Sequence, residues 1–328
     1  MKTFCLAIAV WHSIKVRHNT IRKYCIVAAI VSALVSFSST EIEARPEILK
    51  LEINNQTHLT YRRYVSDNPR GLILYLHGIS SHSGWYIQSG EIFAENGYTV
   101  YAPDRRGSGM NDYERGHLQD YLDLIADMDA FIARMRADFP GLPIYIFGLS
   151  WGGKQALLYD SLRPNEFAGV ILSCPGIKPK IDLSLWNKLK VLLYFWRRRE
   201  VQPEIKIPIS DASLFTDNVR WQNWIEQDPY TLRRATARFY WESHQMDKVL
   251  KREVRDGQSP VLLQLAGRDE IVNNKKTQKF IDKLVGKRGK RDVEVLMYED
   301  ARHTLEFEDN LPEVMRDILE WLDRHNRW

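Results

Sequence analysis

The stretch of this chain best suited to chemistry is Gly148-Leu149-Ser150-Trp151-Gly152-Gly153. A G-x-S-x-G turn between a strand and a helix holds its serine on a strained bend, with the hydroxyl raised above the sheet edge. Glycines flank such a serine because a Cβ there would meet the neighbouring strand or helix. The turn also ends at a helix N-terminus, whose free N–H groups favour developing negative charge. Ser150 is therefore read as a nucleophile. It needs a base to take its proton and an acid to orient that base. His303, in Asp300-Ala301-Arg302-His303-Thr304, and Asp269, in Gly267-Arg268-Asp269-Glu270-Ile271-Val272, fill those roles. The backbone N–H groups of Ile79 and Trp151 are the candidate oxyanion donors.

The spacing requires elements that bring these residues to one edge. Leu142 to Phe147 is a buried strand leading into the Ser150 turn, and Lys154 to Tyr159 begins the helix after it. Leu72 to Leu76 is a continuous apolar run, as in a parallel strand covered on both faces, and ends at His77-Gly78-Ile79. Tyr98 to Ala102, Phe167 to Cys174, Pro260 to Leu265 and Val293 to Tyr298 read as further strands. Asp269 and His303 each fall just past one of them, so Ser150, Asp269 and His303 would meet at the strands' C-terminal edge. Glu270 is the competing acid, but it points the other way along the chain. His77 and His82 compete as base, but both precede the serine and are read as loop-shaping residues.

Ile48 to Ile53 and His58 to Val65 alternate as an antiparallel edge hairpin. Trp85 to Asn96 and Leu118 to Asp138 read as helices, the second with apolar positions at Leu122, Ile125, Met128 and Ile132. Arg105 and Arg106, in the turn after Tyr98 to Ala102, read as solvated or in structural salt bridges. Asn274 to Val285 and Leu311 to Trp328 are the last helices.

About 80 residues separate Cys174 from Pro260, far more than a loop needs. Residues 176–259 are read as an inserted helical cap. Its helices are Leu183 to Arg199, Ala212 to Phe215, Trp221 to Glu226 and Leu232 to Val254. Residues 45–175 and 260–328 then form the two parts of one core. The cap is rich in aromatics, among them Trp186, Tyr194, Phe195, Trp196, Trp221, Trp224 and Trp241. The cap is expected to cover an acyl pocket. Residues 185–199 have the makeup of an interfacial helix, which leaves two readings: contact with a membrane surface, or aromatics that simply pack cap against core.

Residues 1–44 read as a signal peptide or an N-terminal membrane anchor. Arg22-Lys23 precede an apolar run from Tyr24 to Phe37, and Ser38-Ser39-Thr40 follow. The expected location is accordingly exported across a membrane or anchored to it. The formal charge of +4 arises in this segment: Lys2, Lys15, Arg17, Arg22 and Lys23 precede the first acid, Glu41. The chain's 46 basic residues, less these five, stand against 42 acids. A near-neutral body gives no reason to expect a nucleic-acid partner. The cysteines are Cys5, Cys25 and Cys174, and no Cys/His spacing resembles a zinc site.

From about Tyr61 onward the chain resembles α/β-hydrolases of the monoacylglycerol lipase and lysophospholipase group, also termed serine aminopeptidase-like. The carrying stretches are His77-Gly78 with His82-Ser83-Gly84-Trp85-Tyr86, Pro103 to Gly109, Gly148 to Gly153, Gly267 to Val272 and His303 to Glu308. The resemblance implies a mostly parallel twisted sheet with helices on both faces and an inserted helical cap. It also implies hydrolysis of a monoacyl lipid ester with no metal and no cofactor. Two positions depart from the group's pattern. Ser80-Ser81 stand where Gly-Glu is common, and Thr304 where Glu commonly follows the histidine; both positions lie near where a polar head group would sit. Two other readings remain open. A peptidase or amidase on the same three residues would need an acidic site for a substrate amine, for which Glu226, Asp228 and Glu242 are candidates. The other is a non-catalytic, lipid-binding member of the fold.

Overall fold

The computed structural model describes residues 46–54, 57–197 and 203–326. The expectations for residues 1–44, with Cys5 and Cys25, lie outside the described residues.

In chain order the strands are β1 (Glu47–Asn54), β2 (Thr57–Tyr64), β3 (Gly71–Leu76), β4 (Tyr98–Pro103), β5 (Ile144–Leu149), β6 (Gly169–Ser173), β7 (Glu204–Lys206), β8 (Arg234–Thr236), β9 (Val261–Ala266) and β10 (Val293–Tyr298). The α-helices are α1 (Ile87–Glu95), α2 (Tyr121–Asp138), α3 (Trp151–Leu162), α4 (Leu185–Arg197), α5 (Val219–Gln227), α6 (Ala237–Glu253), α7 (Asn274–Phe280) and α8 (Leu311–His325). A π-helical segment, Ile281–Lys287, continues α7.

Eight strands form one sheet in the order β1-β2-β4-β3-β5-β6-β9-β10. The first pairings, β1 with β2 and β2 with β4, are antiparallel; the rest are parallel. β3, β4, β5, β6 and β9 are buried at every position, which is why they read as unbroken apolar runs. From β3 the chain first steps outward to β4, then returns to the other side of β3 as β5. Strand order therefore reverses between β3 and β5, and the crevice beyond their C-terminal ends is where ligands bind in open α/β sheets. The loop carrying Ile79 leaves β3 and the turn carrying Ser150 leaves β5, so both open onto that crevice.

α2 begins at Tyr121, with Asp120 accepting from Leu122 N as its cap. Its buried face is Leu124, Ile125, Met128, Phe131, Ile132 and Met135. Leu122, expected in the apolar stripe, is 52% exposed. Residues between β6 and β9 add no strand to the main sheet and carry α4, α5 and α6. Within them, β7 pairs with β8 in a small antiparallel ribbon. The sequence reading missed it because Glu-Ile-Lys and Arg-Ala-Thr are too short to show alternation. The helix expected from Leu232 starts at Ala237, where Thr236 caps it by accepting from Phe239 N.

Candidate active site

Ser150 stands between β5 and α3 with φ 53° and ψ −120°, a strained region for a residue with a side chain. Its neighbours over-determine that bend. Ser150 N donates to Ser173 O at 2.9 Å, and Ser150 O accepts from Gly176 N at 2.7 Å. A Cβ on Gly148 would lie 2.5 Å from Gly152 O, and one on Gly152 would lie 2.3 Å from Leu76 O. Helix, turn and sheet approach too closely here for any side chain.

Asp269 follows β9 and His303 follows β10, and both are fully buried. One carboxylate oxygen of Asp269 accepts from Ile271 N at 2.8 Å and Val272 N at 2.9 Å. The other lies 2.8 Å from His303 Nδ1. Burial pushes the Asp269 carboxyl up, but His303 and the two N–H donors outweigh it and hold the group below its ordinary value. An acceptor at Nδ1 fixes the tautomer: Nδ1 carries the proton and Nε2 keeps its lone pair. That Nε2 is buried and has no hydrogen-bond partner among the described residues. His303 and Ser150 both line one small cavity of about 10 Å³, with Ile79, Ser80 and Thr304. Catalytic hydrogen bonds are often open in a free enzyme and tighten when substrate binds.

Ile79 and Trp151 line a second, larger cavity with Ser150. Trp151 is the first residue of α3, where a backbone N–H has no acceptor one turn back. The loop after β3 is held by His77, read from the sequence as loop-shaping, and by Arg105, which was not. His77 Nε2 accepts from Arg105 N at 2.9 Å, so its Nδ1 donates to Gly78 O at 2.8 Å. Burial and the nearby Arg105 push the His77 pKa well down, keeping it neutral. Arg105 is not solvated as expected. It is buried, donates to Gly78 O at 3.3 Å and Ile79 O at 3.1 Å, and stacks over Trp151 at 4.8 Å. It thus ties together the two segments that carry the candidate oxyanion donors. Its position directly after a buried strand, on the edge that carries Ser150, was the available signal. Arg106 does form the expected salt bridge, to Asp127.

The larger cavity holds about 670 Å³ and runs from Ser150 between core and cap, past Ile181, Leu183, Val191, Ile209 and Trp241. That size and apolar lining suit a small organic or acyl ligand. Glu270, the competing acid, is exposed and paired with Arg302. His82 donates from Nε2 to Asp228 at 2.9 Å while its Nδ1 accepts from Gly84 N. Two of the three acidic residues considered for a substrate amine, Asp228 and Glu242, are engaged elsewhere. Asp228 also accepts from Trp85 Nε1, Thr231 Oγ1 and Tyr230 N. Glu242 pairs with Arg238 and accepts from Tyr121 N. Glu226 is exposed on α5, and none of the three lines the cavity. Cys174, Asp269 and His303 have ligand atoms within 4.8 Å of one another. Burial pushes the Cys174 thiol well up, favouring its protonated form.

A family model described as serine aminopeptidase, S33, matches residues 67–310. The chain belongs to that family. Human monoglyceride lipase is 27% identical over 76% of this chain and 80% of its own length. The phospholipase YtpA of Bacillus subtilis is 28% identical over 63% of this chain and 79% of its own. The crystal structure of the Paleococcus ferrophilus monoacylglycerol lipase superposes with a TM-score of 0.70 at 24% identity, covering 82% of this chain and all of that one. The family member therefore has the α/β-hydrolase fold expected from its motifs.

Proposed function

We propose that this protein hydrolyses carboxylic esters of monoacyl lipids, monoacylglycerols or lysophospholipids, through an acyl-enzyme on Ser150. The observation that carries the reading is the buried Asp269–His303 pair, whose imidazole lines one small cavity with Ser150 and leaves Nε2 without a partner among the described residues. Ser150 Oγ attacks the ester carbonyl carbon as His303 Nε2 takes its proton. The N–H groups of Ile79 and Trp151 hold the oxyanion, and Asp269 stabilises the imidazolium. Collapse expels the alcohol, which takes the proton from Nε2. Water then attacks the acyl carbon by the same route, releasing the fatty acid and restoring Ser150. The 670 Å³ apolar cavity supports an acyl chain as the bound part. The named activities of the human and Bacillus subtilis relatives support a monoacyl lipid as the substrate class.

Membrane contact through residues 185–197 belongs to the same reading. On α4, Leu185, Trp186, Leu189 and Leu192 are exposed, while Val191 and Leu192 line the cavity. Among the described residues, no helix is long and apolar enough to cross a membrane. Contact here means lying on a bilayer surface.

The decisive experiment compares wild type with Ser150→Ala on a monoacylglycerol and a lysophospholipid by mass spectrometry of released fatty acid. The variant is expected to lose at least about 10³-fold in kcat/KM. Equal rates for the two proteins would overturn the proposal.

A further inference from the structure

A dense run of exposed basic residues lies in α7 and its π-helical continuation. Between residues 275 and 290, Lys275, Lys276, Lys279, Lys283, Lys287, Arg288 and Lys290 are all exposed, with Asp282 the single acid among them. None of the seven forms an ion pair with another described residue. Other exposed arginines do find acidic partners, as in Arg70 with Asp323, Arg234 with Glu204 and Arg324 with Glu294. The body of the chain is close to neutral, so this is a local concentration and not a general excess.

Four of these cations form a line. Lys275, Lys279, Lys283 and Lys287 line one open groove of about 600 Å³. A four-residue spacing overshoots one turn of an α-helix, so a stripe of four would drift around a regular helix. From Ile281 the helix is π, and in that wider i→i+5 turn the same spacing undershoots. The two errors offset, and the lysines stay on one side. Like charges four residues apart weaken a helix, so the stripe works against the element that carries it. An anionic surface would reverse that sign.

The stripe is joined to the mouth of the Ser150 cavity. The segment before α7 runs beside the segment before α4: Pro179 bridges Val272, Lys180 N donates to Ile271 O at 2.7 Å, and Asn273 N donates to Lys178 O at 2.8 Å. Lys178 Nζ lies 4.9 Å from the centre of the Phe280 ring. Pro179, Ile271 and Val272 line the cavity. One of these paired segments leads into the exposed apolar side chains of α4, the other into the lysines of α7.

We infer that the lysine stripe of α7 and its π-helical continuation is a docking surface for anionic phospholipid, holding the protein on a negatively charged bilayer. The paired segments that link it to α4 favour a lipid surface over a nucleic acid, because the apolar side chains suit the acyl layer and the lysines its phosphates. The inference builds on the proposed lipid-ester activity, but its readout is binding and does not depend on turnover.

The test is co-sedimentation of the full chain with vesicles of phosphatidylcholine alone or mixed with phosphatidylglycerol. Wild type is compared with the quadruple variant Lys275→Gln, Lys279→Gln, Lys283→Gln, Lys287→Gln. Wild type is expected to prefer the anionic vesicles, with the preference fading as salt is raised. The variant should lose at least about tenfold of that preference, since each lysine near such a surface is worth roughly fivefold. It should keep wild-type circular dichroism and wild-type turnover of a short soluble ester. A wild type that binds both vesicles equally, or a variant that keeps the full preference, would sink the inference. Tighter binding of wild type to a short RNA duplex than to the anionic vesicles would also overturn it.

Discussion

Glu306 shows how much a single buried carboxyl can carry. It lies three residues after His303 and is 4% exposed, and one of its oxygens accepts from Ser89 N at 3.0 Å. Burial pushes its pKa up to about 8, with the Ser89 N–H opposing. Tyr64, Tyr75 and Tyr86 lie within its electrostatic reach, and the nearby Glu91 pushes its pKa up further. The fold therefore binds this proton more tightly than the unfolded chain, where a glutamic acid titrates near ~4.3. The stability it contributes is fully present below that value and is lost as pH rises toward about 8, at up to about 1.4 kcal/mol per pH unit. Glu306→Gln keeps the acceptor for Ser89 N and removes the titration. Urea denaturation from pH 5 to 8 should show a flatter stability profile for the variant; parallel profiles would contradict this account. Burial sets a fate here that residue type alone does not reveal, since Glu306 and Glu308 look alike in the sequence.

At the scale of elements, α4 turns Leu185, Trp186, Leu189 and Leu192 to solvent. Leu185 is 85% and Trp186 66% exposed, so neither contributes packing that a substitution would remove. Leu185→Ser with Trp186→Ser should change stability by no more than about 0.5 kcal/mol. If α4 lies on a bilayer, the same change removes side chains worth roughly 1.5–3 kcal/mol each when buried. Turnover of a monoacylglycerol carried in phosphatidylcholine vesicles should then fall by at least about tenfold, with a short soluble ester cleaved at the wild-type rate. Parallel behaviour on the two substrates would exclude α4 as a membrane contact. The periodicity of α4 was legible because its apolar and charged residues segregate at helical spacing. Which face would lie open was not, and Leu122 on α2 shows the same limit: an apolar residue at a plausible stripe position that faces water.

At the scale of the molecule, the loop after β3 and the insert between β6 and β9 are tied at one carboxylate. Asp228, from the segment between β6 and β9, accepts from His82 and Trp85 of the loop after β3. Burial pushes the Asp228 carboxyl up, but the bonds from His82, Thr231 and Tyr230 N outweigh it and hold it well below the usual range. Its contribution is therefore present above the ordinary carboxylate pKa and is lost only in strong acid. Asp228→Asn keeps the shape and removes the charge. It should loosen the loop that carries Ile79 and lower kcat on a soluble ester by roughly 10- to 100-fold, with an altered tryptophan fluorescence from Trp85. An unchanged kcat would show that the tie does not position the loop.

The residues that could do chemistry, and their convergence, were set by local signals that need no partner. Ser150 announced itself through glycines demanded by close backbone approach, and Asp269 and His303 through their places just past apolar runs. The fold class followed from the alternation of such runs with helical stretches. Only the tertiary structure decided which polar groups were already spoken for. It engaged Asp228 with His82, turned Glu270 out to Arg302, buried Arg105 against the Ile79 loop and left the α7 lysines unpaired. Each of those outcomes depends on a side chain dozens to hundreds of residues away, or on the lack of one. Periodicity along a chain reports which face is apolar; it carries no record of what arrives to meet the polar ones.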